Sequence, residues 1–212
     1  MATIPTYIEE VHGILAYEPE VLELVHPWDA PGPYTYSETW PKLPEDFHCE
    51  LIEGHIVTSP TPRENHQSLS IILTVLLDPI ARAVRGKLFA APFDVVFDDQ
   101  TILQPDLIFL SPERRQLFRG VMHGAPDVCV EIISPSRPKR DRKVKYEQYE
   151  KQGVPEYWLF DPASQSAKFY QLVNDRYHSI DPVNGIYQSP RLPYLFLDLP
   201  VVWQRLDEAL AD

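Results

Sequence analysis

Two periodicities in the apolar positions predict how this chain folds. Between residues 64 and 84, apolar side chains recur at the spacing of a single buried helix face, which predicts a long helix. The positions that define this face are Leu69, Ile72, Leu73, Leu76, Ile80 and Ala83. Shorter helices are predicted at 6–16, at 37–43 with Ser37 as cap, and at 139–152, where Gly153 ends the helix.

Short apolar runs between turn residues predict the strands. They cover residues 47–58 (with a turn at Glu53-Gly54), 88–97, 105–110, 127–134, 156–160, 167–172 and 176–180. The run 127–134 is almost entirely apolar, which is typical of a central strand buried on both faces. The order of elements predicts an α/β fold with a mixed central sheet flanked by helices.

Charge divides the chain into two parts. The first 40 residues hold seven acids and no Lys or Arg, and so account for −7 of the net charge of −12. We interpret residues 1–36 as an acidic, proline-containing extension and residues 37–212 as one domain. A net negative charge is a poor signature of a nucleic-acid binder, but the 172 residues after the first 40 have a net charge of only −5.

The remaining composition indicates a cytoplasmic protein. Cys49 and Cys129 lie too far apart for a zinc motif or a disulfide framework, so both are expected to be reduced thiols. The N-terminus lacks the pattern of a signal peptide, and no apolar run is long enough to cross a membrane. We therefore expect no membrane partner.

Two carboxylates interrupt apolar strands and are the strongest candidates for chemistry. Asp106 opens the strand 105–110, and Glu131 lies within the strand 127–134. A charge in so apolar a strand is costly unless it is paired or bound to a metal. Mg²⁺ takes one or two protein carboxylates together with waters and phosphates. The alternative is an ordinary ion pair between Glu131 and a lysine.

A basic segment follows the second carboxylate strand. Residues 134–145 contain six basic side chains and one acid: Arg137, Lys139, Arg140, Arg142, Lys143 and Lys145, with Asp141. A basic loop that leads into a helix can bind phosphate, although a charge run is also typical of a solvated helix face. Asp141, Lys145 and Tyr149 share one helix face, and the tyrosine indicates that this face points inward.

These motifs together resemble the Uma-two family of restriction endonucleases, within the PD-(D/E)XK superfamily. The resemblance runs from about residue 36 to residue 203. It is carried by ELIEG at 50–54, SPTPRENH at 59–66, QPDL at 104–107, VEIISPS at 130–136, the spacing 141–145–149 and GVPEYW at 153–158. It implies a restriction-endonuclease-like fold and a metal-dependent endonuclease that acts on DNA with Mg²⁺ or Mn²⁺.

The resemblance also implies site residues. Asp106 and Glu131 would bind the metal, with Glu50 completing the acidic cluster, and Lys145 would be the catalytic lysine. Glu53 is the alternative to Glu50 as the additional acid, and alternation along the strand predicts that the two side chains point to opposite faces. His66 and Gln104 are candidate accessory residues. Nucleic acid would be bound by Arg137, Lys139, Arg140, Arg142 and Lys143.

One position departs from the superfamily pattern. The superfamily has a lysine two residues after the glutamate, where this chain has Ile133, and the resemblance implies that Lys145 replaces it. The moved lysine leaves an alternative open, in which the chain is a catalytically silent nucleic-acid-binding or protein-interaction module. A further hypothesis is that the acidic extension masks the basic segment. A homodimer is also compatible with the sequence.

Overall fold

The computed structural model describes residues 33–43, 48–58, 62–134 and 143–211. By their internal contacts, residues 1–60 and 94–104 form one unit, and residues 61–93 and 105–212 form a second. The predicted helix at 6–16 lies outside the described residues. The boundary at residue 36 stays a prediction for the same reason.

The elements follow in chain order. The α-helices are α1 (Tyr36–Thr39), α2 (Glu64–Ala83), α3 (Lys145–Lys151) and α4 (Leu199–Ala209), and 3-10 helices cover Trp40–Lys42 and Arg115–Leu117. The strands are β1 (Cys49–Ile52), β2 (His55–Thr58), β3 (Lys87–Ala90), β4 (Val95–Asp98), β5 (Thr101–Leu103), β6 (Leu107–Leu110), β7 (Met122–His123), β8 (Val128–Ile132), β9 (Glu156–Asp161), β10 (Ser166–Val173), β11 (Arg176–Ile180), β12 (Ile186–Gln188) and β13 (Phe196–Asp198).

The first unit is built on an antiparallel sheet in the order β2-β1-β5-β4. The predicted hairpin at 47–58 is confirmed as β1 and β2, joined at Glu53-Gly54. Both turn residues have positive φ, 50° and 78°, and Gly54 packs so closely on Pro33 that a Cβ would lie 2.9 Å from it. Glycine is therefore required at the second turn position.

Helix α1 is shorter than predicted and has a different cap. Thr35 precedes the helix, and its side chain accepts a hydrogen bond from the N–H of Glu38. Ser37 instead lies inside the helix, and its N–H and hydroxyl both donate to Asp99. A 3-10 turn that contains Pro41 follows directly and replaces the rest of the predicted helix.

The prediction of a single strand at 88–97 is wrong. The segment is two strands, β3 and β4, which belong to different sheets and different units. Pro92 lies between them and has no N–H to donate to a neighbouring strand. The apolar composition of 88–97 therefore suggested one continuous strand where there are two. The three-residue strand β5 was not predicted at all.

The second unit contains a six-stranded mixed sheet in the order β11-β10-β9-β8-β6-β3. Strand β8 is parallel to β9, whereas the other neighbouring pairs are antiparallel. All five residues of β8 are buried, which confirms the prediction of a central strand. The fold class, a mixed α/β sheet flanked by helices, is confirmed.

The core of this unit lies on one face of its sheet. Helix α2 confirms the predicted face at Leu69, Ile72 and Leu73, but in its second half Leu77 and Ala81 are buried and Ala83 is exposed. Its buried residues pack with β8, β9 and α4. This cluster includes Leu69, Leu73, Leu77, Val128, Val130, Ile132, Trp158, Phe160, Val202 and Leu206. The elements after residue 180, β12, β13 and α4, were not predicted, although they complete this core.

Helix α3 packs on the opposite face of the sheet. Tyr149 of α3 is fully buried, and its ring centroid lies 5.2 Å from that of Tyr157 on β9. The helix ends before Gly153, whose φ of 74° confirms the predicted helix-ending glycine. Residues 139–142 of the predicted helix lie outside the described residues. Within the described chain, no helix is long and apolar enough to span a membrane.

Candidate active site

Glu131 is a buried carboxylate in the centre of the sheet. Val128, Val130 and Ile132 point into the core beneath α2, so alternation turns Cys129 and Glu131 to the face that α3 covers. Glu131 is only 2% exposed. A carboxylate at this depth needs strong partners, because burial alone disfavours its charge.

Helix α3 supplies those partners from two residues one turn apart. The Lys145 ammonium donates to Glu131 Oε1 over 2.7 Å, and the Tyr149 hydroxyl donates to the same oxygen over 2.6 Å. Lys145 is 4% exposed, so the ion pair is almost completely removed from water. Burial and the charge of Glu131 raise the pKa of Tyr149 well above its usual value, which keeps its hydroxyl protonated and donating.

Asp106 directly precedes β6, the strand next to β8, and lies opposite Glu131. Leu107 pairs with Val130 in the β6–β8 ladder, and the same register continued by one pair sets position 106 opposite position 131. Asp106 Oδ2 accepts a 2.6 Å hydrogen bond from the N–H of Ile132. Its side chain is 16% exposed, so this carboxylate is nearer to solvent than that of Glu131.

His66 contacts the Asp106 carboxylate from the first turn of α2. Its Nε2 lies 3.3 Å from Asp106 Oδ2, the oxygen that also contacts Ile132. The long helix, the strand β6 and the central strand β8 thus meet at this carboxylate. His66, a candidate accessory residue from the sequence, is in position to orient Asp106.

The orientation predicted for the basic segment can be checked at its end. Lys145 is buried against Glu131, whereas Lys143 is exposed, as the helical offset between them predicts. Arg137, Lys139, Arg140 and Arg142 lie outside the described residues, so their predicted contact with nucleic acid stays a prediction.

Glu50 and Gln104 are brought together within the first unit. Glu50 is fully buried, and its Oε1 accepts a 2.7 Å hydrogen bond from the N–H of Gln104. The Gln104 side chain donates to Asp94 Oδ1 over 2.8 Å, and the Trp40 indole donates to the other oxygen of Asp94. Asp94 was not singled out in the sequence, where nothing distinguishes it from a turn acid.

Glu53 does not occupy the strand position expected of it. We predicted that Glu50 and Glu53 would lie on opposite faces of one strand. Glu53 is instead exposed in the turn after β1, with a φ of 50°. Glu53 belongs to the turn predicted at Glu53-Gly54, so strand alternation does not apply to it, and Glu50 is the buried acid of this segment.

The carboxylates of this site fit a hard divalent cation that keeps several waters, and do not form a site whose ligands all come from the protein. Among the described residues, no group of three or more His, Cys, Asp or Glu side chains could hold a metal. Mg²⁺ does not require such a group, since one or two carboxylates with waters and phosphates suffice. Asp106 and Glu131, on adjacent strands and differing in exposure, meet that requirement.

Sequence reasoning missed part of the role of Tyr149. The shared helix face predicted that this side chain points inward, but not that its hydroxyl donates to Glu131. The signal was present in the spacing, because residues four apart on a helix contact the same neighbour. The ion pair between Glu131 and a lysine, kept open as an alternative, is present, and its lysine is Lys145.

Comparison with known proteins agrees with the resemblance seen in the sequence. The family model Uma2, described as "Putative restriction endonuclease", matches residues 34–203. The chain is also similar to a crystal structure described as "a putative nuclease belonging to DUF820 from Anabaena variabilis ATCC 29413". The TM-score is 0.69 at 22% identity, covering 82% of this chain and 99% of that one.

At that identity the likeness shows a shared fold and no more. No curated protein matches this chain. The family model, in contrast, spans most of the sequence, including both carboxylate strands and α3. The chain therefore belongs to the Uma2 family.

Proposed function

We propose that this protein is a metal-dependent endonuclease that hydrolyses phosphodiester bonds in DNA. The description of its family supports nuclease chemistry in general. The observation that carries the finer proposal is the buried trio of Glu131, Lys145 and Tyr149 beside the more exposed Asp106. A purely structural ion pair would not need a second carboxylate facing it from the next strand.

Each side chain has a separate task in this proposal. Asp106 and Glu131 would hold Mg²⁺ or Mn²⁺, with the Ile132 carbonyl as a further ligand and Glu50 as an additional acid. When bound, the metal would lower the pKa of a coordinated water and polarise the scissile phosphate. His66 would keep the Asp106 carboxylate in one orientation through the 3.3 Å contact.

Lys145 would act on the attacking water and on the charge that develops at phosphorus. Its ammonium is fixed by Glu131 at 2.7 Å, so little reorganisation is needed as that charge appears. Tyr149 would hold Glu131 in the rotamer that both contacts require. The lysine thus approaches Glu131 from a helix, whereas the superfamily pattern would place it on the strand, at position 133.

The test is cleavage of single-stranded and double-stranded DNA with Mg²⁺ or Mn²⁺. We expect the natural protein to cut at least one of these substrates and Glu131→Gln to cut it about a thousandfold more slowly. Metal binding measured by calorimetry should be lost in Asp106→Ala. As a matched control, Asp78→Ala removes a half-buried carboxylate of α2 that pairs with Arg82 among the described residues, and it should leave metal binding and cleavage unchanged.

The second candidate is a silent binding module on the same fold. It is favoured by the Glu131–Lys145 ion pair itself, which could satisfy both groups without a metal. In that case the natural protein would bind neither Mg²⁺ nor Mn²⁺, and no DNA would be cut. Calorimetry that shows no metal binding would refute the endonuclease proposal.

A further inference from the structure

A small pocket opens on the same sheet face as Glu131. It is lined by residues of β9 and β10 and by the residue that follows β8: Ile133, Leu159, Asp161, Ser166, Lys168 and Tyr170. Ile133 and Leu159 are buried and line it with apolar surface, whereas Ser166 and Lys168 are exposed. The pocket has no role in the chemistry described above.

The pairing of residues across β8, β9 and β10 places this pocket in line with Glu131. Glu131 pairs with Leu159 across β8 and β9, and Leu159 pairs with Lys168 across β9 and β10. The three side chains form one row on one face of the sheet. Neighbouring strands lie about 4.8 Å apart, so Lys168 begins about 10 Å from Glu131.

The lining combines the chemistry that a nucleotide requires. Tyr170 is half-buried and supplies an aromatic surface beside the apolar residues Ile133 and Leu159. Lys168 supplies an exposed cation and, within the described chain, forms no ion pair. Proteins that bind nucleic-acid strands pair such a cation for the backbone with an aromatic side chain for a base.

We propose that this pocket is a nucleotide subsite of the substrate strand, close to the scissile phosphate. Lys168 contacts a backbone phosphate, and the base or sugar of that nucleotide lies against Tyr170, Ile133 and Leu159. The inference rests on the proposed nuclease function and adds to it a binding residue outside the carboxylate cluster. It also assigns a role to Ile133, which forms part of the apolar wall.

The experiment measures binding separately from cleavage. A fluorescent single-stranded oligonucleotide and its duplex are titrated with protein at low and moderate salt, and anisotropy gives Kd. We expect Lys168→Ala to weaken binding about tenfold and to reduce the slope of log Kd against log salt by about 0.7 for the single strand. Lys168→Arg should restore both. Cleavage by Lys168→Ala should show a raised KM with little change in kcat.

Arg205→Ala is the matched control, because Arg205 is an exposed cation on α4, a helix that packs on the other sheet face. It should leave binding almost unchanged. Equal losses in Lys168→Ala and Arg205→Ala, in a protein that cuts DNA, would overturn the subsite and leave the nuclease proposal intact. A natural protein that neither binds nor cuts DNA would overturn both proposals.

Discussion

Two buried glutamates lie on adjacent parallel strands and point to opposite faces of the same sheet. Glu131 on β8 faces α3, and Glu156 on β9 faces the core beneath α2 and α4. They are 2% and 0% exposed. By depth and by strand type they are equivalent, yet the groups that contact them differ in charge.

Glu131 has a cation beside it, whereas Glu156 has only neutral donors among its described contacts. The Trp158 indole and the Tyr187 hydroxyl donate to Glu156 Oε2 over 3.0 and 2.7 Å, and Ser189 donates to Oε1. Ser189 also accepts from the N–H of Leu192, which ties the segment after β12 to the sheet. Glu156 thus joins parts of the chain that are distant in sequence.

Under the proposed function, the difference separates a reactive site from a structural one. Neutral donors from β9 itself and from residues 187–189 hold Glu156 in the core, where nothing larger than a side chain needs to approach. Glu131 is held by a lysine that can respond to new negative charge, and it lies next to the partly exposed Asp106. Burial alone therefore does not identify the functional glutamate. In the proposed function, the charge of its partner and the partly exposed carboxylate beside it do.

The largest expected effect comes from Glu131→Gln. Cleavage should fall by about a thousandfold, the upper range for a lost electrostatic group in an active site. The amide also leaves Lys145 buried without a counter-charge, so the free energy of unfolding should fall by about 3 kcal/mol. Cleavage rates and chemical denaturation measure the two effects.

A double variant separates these two consequences. Glu131→Gln with Lys145→Met replaces the ion pair by a neutral pair, which should recover much of the stability without any activity. If the double variant cut DNA like the natural protein, Glu131 could not have the role we assign to it.

The second effect concerns Lys145 and its exposed neighbour. Lys145→Met should lower the cleavage rate about a hundredfold, because it removes the charge next to the reacting phosphate. Lys143→Ala is the control, and its small loss should shrink at high salt, as expected of a phosphate contact. Equal, modest and salt-sensitive losses in both variants would favour the silent binding module.

Tyr149→Phe should have a smaller effect on the same site. It removes one hydrogen bond to Glu131 and leaves the ring in its packing against Tyr157. Cleavage should fall about tenfold and stability by about 2 kcal/mol, in the range of a hydrogen bond to a charged group. Tyr146→Phe on the same helix is the control. An effect as large in that variant would indicate loss of packing in general.

The smallest effect on activity is expected at Glu156. Glu156→Gln places an amide N–H₂ among three donors, which should lower the free energy of unfolding by about 1–3 kcal/mol. The cleavage rate of the folded fraction should not change, since Glu156 lies on the other sheet face from Glu131. A loss of activity without a loss of stability would contradict the contrast between the two glutamates.

Local patterns in the sequence were sufficient for elements whose reasons are local. The face of α2, the hairpin turn at Glu53-Gly54 and the all-apolar strand β8 each follow from spacing or backbone conformation within a few residues. The inward orientation of Lys145 follows from the same helical geometry. By contrast, the division of 88–97 between two sheets depends on partners that no local pattern names.

What the sequence by itself determined is the fold class, the central strand, the candidate acids and the inward orientation of Lys145. These follow because side-chain periodicity is fixed by the helix and the strand. Only the tertiary structure decided which groups contact those acids. The Tyr149 hydrogen bond, the His66 contact and the neutral surroundings of Glu156 all join residues far apart in the chain. Their partners are set by how helices and strands pack, and that packing has no short-range signature.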